Sequence, residues 1–139
     1  MKARIRLPEA PKTALCAGFS AARLQALSAV LIPQGIAVRF VAPRELGQTV
    51  GALAGTDPPA AIPADFSPRH ADTESLVLCG LGSGELDALL ASLREAGLSI
   101  PCKAVLTPVN RGWRFDDLIG QLADEHEAVM RRFAERKGR

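Results

Sequence analysis

A chain of 139 residues with 47% apolar content suffices for one domain with an ordinary core. Its net charge of +2 hides a division: residues 1 to 13 carry +3, residues 131 to 139 carry +4, and the stretch between carries −5. Positive charge gathered at the two ends does not form a face that follows phosphates, so nucleic acid is not an expected partner. No run reaches the roughly 18 to 20 apolar residues of a membrane span, so a membrane is not expected either.

Cys16, Cys79 and Cys102 are odd in number and lack Cys-x-x-Cys spacing, and each lies in an apolar stretch. They read as small core hydrophobes, which favours a reducing cytoplasm as the compartment. The N-terminal run has some look of a signal peptide. Pro8 and Pro11 precede its apolar part, Arg23 ends that part early, and the same pattern recurs inside the chain, so a cytoplasmic protein is expected.

The recurring pattern organises the whole reading. Residues 14 to 35 and 76 to 97 align without a gap at an offset of 62, which matches Gly18 with Gly80, Leu24 with Leu86, Leu27 with Leu89, Leu31 with Leu93 and Gly35 with Gly97. Residues 14 to 19 and 76 to 81 are nearly all apolar without alternation, as in strands buried on both faces. Ser20 is placed to cap the first helix and Gly35 to end it; in the second copy Gly82 takes the cap position and Glu85 completes a capping box. The strands that follow, around residues 36 to 41 and 98 to 107, alternate and carry Arg39, Lys103 and Pro101, which marks them as edge strands. Pro43 then opens a short helix with Leu46, Val50 and Leu53, and near Asp116 a longer one begins. Its stripe of Leu118, Leu122, His126, Val129, Met130 and Phe133 is longer than a strand needs, so its far end should overhang and is a candidate homodimer contact. On that stripe His126 reads as a packed histidine, and Trp113, just before the helix, as a largely buried residue.

The expected fold class is α/β, a single domain of duplicated β-α-β-α units. The first copy spans residues 14 to 54, a Pro-rich connecting loop 55 to 74, and the second copy 75 to 136. The four strands form a mostly parallel sheet in the order 2-1-3-4 with helices on both faces. A fully parallel sheet is favoured, which would place the turns at Gly18-Phe19-Ser20 and Gly80-Leu81-Gly82-Ser83 around one switch-point crevice. The alternative is a ferredoxin-like α+β sandwich, in which strand 3 runs against strand 1 and the crevice is lost.

The candidate ligand-binding residues are Gly80, Gly82 and Ser83, whose backbone N–H groups at a helix start suit an anion, together with Ser20 from the first copy. Lys103, Thr107, Asn110 and Trp113 follow the last strand and join them. Each has a structural reading beside the functional one: the glycines as a turn, and the last group as a well-made turn closed by the tryptophan. Nucleotide fingerprints fail, since Glu85 stands where G-x-G-x-x-G needs its third glycine. No nucleophile elbow or metal-ligand spacing occurs, so no catalytic residue, metal or cofactor is assigned.

The turn G-L-x-x-x-E-L at Gly80, Leu81, Glu85 and Leu86, the run K-A-x-x-T-x-x-N-x-x-W at Lys103, Ala104, Thr107, Asn110 and Trp113, and the pair Glu125-His126 resemble the small bacterial and archaeal domains grouped as domain of unknown function 3783. The resemblance covers about residues 75 to 130 and implies no activity, substrate or cofactor. The reading is therefore of a non-enzymatic cytosolic binding or regulatory module. The alternatives are a small-anion or phosphate-ligand binder or enzyme using the crevice, and a protein-interaction module docking through the C-terminal helix.

Overall fold

A computed structural model describes residues 12–137. Its elements, in chain order, are β1 (Thr13–Ala17), α1 (Ala21–Leu31), β2 (Ala37–Phe40), α2 (Val50–Ala54), β3 (Ser75–Cys79), α3 (Ser83–Glu95), β4 (Cys102–Val105) and α4 (Phe115–Lys137). The helix foreseen at Pro43 is broken into a 3-10 turn, Pro43–Gly47, and the single-turn-and-a-half α2. The break falls at Gln48 and Thr49, where Thr49 caps α2 by accepting the Ala52 N–H.

The strands lie in the order β2-β1-β3-β4. Pairing is parallel within each copy, Thr13 opposite Ala37 and Ser75 opposite Cys102, as short right-handed β-α-β units require. Between the copies β1 and β3 run antiparallel, with Leu15 opposite Val77. The sheet is therefore mixed: mostly parallel, in the expected order, but with its two halves pointing opposite ways. This corrects the fully parallel arrangement. Every residue of β1 and β3 is buried, so their apolar sequences read alike in either direction and do not set it.

Helices cover both faces. Ala14, Cys16, Leu76 and Leu78 meet Leu27 and Leu31 of α1 and Leu89 and Leu93 of α3. On the opposite face Leu15, Ala17, Val77 and Cys79 meet Val50 and Leu53 of α2 and Phe115, Leu118 and Ile119 of α4. A second antiparallel contact joins the copies there: Val50 N–H donates to the Trp113 carbonyl and Phe115 N–H to the Gln48 carbonyl, each at 2.9 Å, around the bridge of Thr49 to Arg114.

Residues 55 to 74 hold no helix or strand but are anchored to this second face. Gln48 bonds Ala60 through both ends of its amide, a Cβ on Gly47 would press on Ile62 and Phe66, and Phe66 and Ala71 pack against the core. The nearly fully buried Asp116 carboxylate accepts the N–H groups of Arg69 and His70 at 3.0 to 3.2 Å.

Candidate functional site

The antiparallel join separates the two glycine turns. Gly18 ends β1 beside Thr73 and Glu74, at the start of β3, whereas Gly80 lies beyond the Cys79 that pairs with Thr13. About six residues of strand, or roughly 20 Å, lie between the two turns. No shared crevice forms, and Ser20 sits at the opposite end of the sheet from Gly80, Gly82 and Ser83.

Each turn is also occupied by its own chain. Ser20 Oγ accepts the Arg23 N–H at 3.2 Å, which caps α1. Gly82 N–H donates to Glu85 Oε1 at 3.1 Å, and Glu85 pairs with Lys12 through its other oxygen. The start of α3 thus already holds a carboxylate, whose pKa is lowered by the Lys12 contact first and by the Gly82 N–H second. Around the first turn a cavity of about 330 Å³ opens between Gly18, Ser20, Phe40, Pro43 and Asp72.

The run after β4 is a closed turn. Thr107 N–H donates to Asn110 Oδ1 at 2.9 Å, Asn110 N–H returns to Thr107 Oγ1 at 3.0 Å, and Asn110 Nδ2 reaches the Val105 carbonyl at 2.9 Å. Both side chains serve backbone groups that the edge strand and the following 3-10 turn, Asn110–Gly112, leave open. The first copy contains the same device in other residues, with Glu45 Oε1 accepting the Ala42 N–H at 3.0 Å. Sequence reading missed that equivalence because a glutamate replaces the asparagine. Trp113 is only half-buried, packed on the α2 and α4 face; expected burial is incomplete because the turn before it lies at the surface.

Lys103 is apart from these. It projects from β4 toward α3, donates Nζ to the Ile100 carbonyl, and lines the space between β4 and α3 with Leu90 and Arg94. Arg94 escaped the sequence reading because a basic residue in the last turn of a helix is ordinary.

The described residues offer no activated nucleophile among the cysteines. Burial pushes the Cys16 thiol up to about 12 and that of Cys79 to about 11, and it raises Cys102 too, with Lys103 opposing in part. His70 lies against Gly120, beside Arg69, Asp117 and Asp124. His126 is exposed rather than packed, because α4 has left the sheet by that point. No group of three or more His, Cys, Asp or Glu suited to a metal ion occurs among the described residues.

That departure of α4 leaves a long exposed segment. Beyond Ala123 every residue to Arg136 is exposed except the half-buried Ala128, and Val129, Met130 and Phe133 are 55%, 53% and 55% exposed. Asp124, Glu125 and Glu127 flank the near part of this segment, and Arg131, Arg132 and Arg136 the far part. Among the described residues no helix is long and apolar enough to cross a membrane.

Residues 74–129 match the family model described as Domain of unknown function (DUF3783). The DUF3783 region begins one residue before β3 and ends on α4 at Val129, so it covers most of the second copy and stops within the exposed segment. The first copy lies outside it. No curated protein and no solved structure matches the chain.

Proposed function

We propose that the protein is a non-enzymatic interaction module that pairs with a second copy of itself through the outer half of α4. The observation that carries this reading is the 13-residue exposed segment from Asp124 to Arg136, about 20 Å of helix, with Val129, Met130 and Phe133 on it. Beyond its own sheet the helix leaves about half of the Val129, Met130 and Phe133 side chains in water. A second molecule laid on this surface would take that remaining apolar area out of water.

A second copy fits the charges. Two such segments crossing antiparallel near Val129 bring Glu125 and Glu127 of one chain toward Arg131 and Arg132 of the other, and the twofold repeats the match. Parallel pairing would set like charges together. Within one chain the same gradient favours the helix, and Glu127 pairs with Arg131 at 3.3 Å. A contact of this length belongs with small, reversible interfaces. The support for a binding rather than catalytic role is that Ser20, Thr107 and Asn110 are committed to caps and turns, and the Cys16 and Cys79 thiols are buried.

Sedimentation of the full chain over a concentration series into the hundreds of micromolar tests the pairing. The expected result is a monomer–dimer equilibrium, shifted to monomer by Phe133→Glu and by Glu127→Arg. A monomer at every concentration, or a dimer indifferent to both substitutions, overturns it.

A further inference from the structure

We propose that the groove between α3 and β4 binds an extended peptide segment of another protein, carrying apolar residues at alternate positions and a carboxylate, which adds to β4 as a fifth strand. This does not rest on the α4 pairing.

Two adjoining cavities of about 480 and 230 Å³ share Leu90 and Lys103. Together they run along the sheet edge, floored by Leu78, Leu86, Leu93, Leu98 and Val105. β4 is one of the two edge strands, with β2 at the other side. Leu106 N–H donates inward to the Leu78 carbonyl, and a parallel ladder uses alternate residues, so the backbone groups of Lys103 and Val105 face away from β3. Asn110 Nδ2 covers the Val105 carbonyl, which, among the described residues, leaves the Val105 N–H and both groups of Lys103 as the edge open to an incoming strand. Alternate side chains of that strand would enter the cavities on the α3 side, where the lining is leucine and valine.

The carboxylate follows from the charges. Arg94 and Lys103 both line the larger cavity, and neither has an ion-pair partner among the described residues. The first copy separates this from generic edge chemistry: its counterparts of Arg94 and Lys103 are Ile32 and Val38, and its counterpart of Leu90 is Ser28. The β2 edge therefore keeps the strand and loses both cations. Residues 1 to 11 of the same chain suit the groove poorly by charge, with Lys2, Arg4 and Arg6 against one Glu9.

A library of random seven-residue peptides displayed on phage, selected against the full chain carrying Phe133→Glu, tests the proposal. Recovered peptides should alternate apolar residues, contain Asp or Glu, and bind in solution with amide shift changes concentrated in residues 86 to 106. Arg94→Glu and Lys103→Glu should each weaken binding about tenfold or more, the loss of a charge-assisted contact, while the protein stays folded with at most a small drop in melting temperature, since both residues are exposed and lose only the Lys103 bond to the Ile100 carbonyl and the Arg94 charge at the end of α3. Proline at the centre of a recovered peptide should abolish binding. Recovery of no peptide, of peptides without carboxylates, of helical peptides, or of peptides that bind both charge-reversed variants equally, overturns it. A signal displaced by a peptide of residues 1 to 11 would assign the groove to the chain's own N-terminus and overturn it likewise.

Discussion

Leu15 and Val77 face each other across the centre of the sheet, and each is the other's counterpart in the repeat, 62 residues apart. An antiparallel pair of equivalent residues lies on a twofold axis normal to the sheet. The same axis passes the bridge of Thr49 to Arg114, equivalent at an offset of 65 because the second copy has three more residues after its helix. This operation keeps α1 and α3 on one face and α2 and α4 on the other, as the two core layers show. An axis along the strands would have placed α1 and α3 on opposite faces.

The axis also relates two ion pairs whose charges are exchanged. Arg23 pairs with Glu74 at 2.9 Å, and their counterparts Glu85 and Lys12 pair with each other. The lowered Glu85 pKa means that the pair contributes stability above the ordinary glutamate value of 4.5 and loses it as pH falls through the lower folded-state value. Glu85→Gln should therefore unfold at lower denaturant than the parent near neutral pH, with the gap closing in acid below 4.5. Paired urea titrations at both pH values check this, and a gap that persists unchanged in acid speaks against it.

Leu27 and Leu89 are equivalent, fully buried and mid-helix against the same sheet face. Each truncation to alanine should cost about 2 to 5 kcal/mol, from lost burial and the cavity left behind. Since the twofold gives them like surroundings, the two costs should be similar. Denaturant midpoints of the two variants measure both statements.

Gly18 has φ +79°, and a Cβ there would run into the Thr73 carbonyl. Alanine must meet the left-handed penalty, about 1 to 2 kcal/mol, and also displace the start of β3. Gly35, with φ +77° and open space around it, carries the conformational penalty alone. Gly18→Ala should thus lower the melting temperature more than Gly35→Ala, and equal shifts would show that the Thr73 contact is absent.

Cys16 and Cys79, with thiols raised to about 12 and about 11 by burial, should resist Ellman's reagent at pH 8 in the native protein and react once unfolded in guanidinium. Prompt native labelling of either, located by mass spectrometry, would place that strand at the surface.

The sequence by itself determined the elements and their local joints. Unbroken apolar runs set β1 and β3 at the centre, charged and proline-bearing alternation set β2 and β4 at the edges, and Ser20, Gly35, Gly82 and Glu85 fixed helix ends through contacts three or four residues long. The overhang of α4 was likewise legible, since helix rise and strand length are fixed quantities. The direction of β3 against β1 was decided only by tertiary structure. Strands buried on both faces bury the same side chains whichever way they run, and a connection of twenty residues, 55 to 74, can reach either end of the sheet. With that direction went the candidate site: Ser20 and Gly80 could share a crevice only if their strands ended on the same side. The groove beside Lys103 and Arg94 was equally hidden, because it joins residues of a helix and a strand whose neighbouring places exist only once the sheet edge is built.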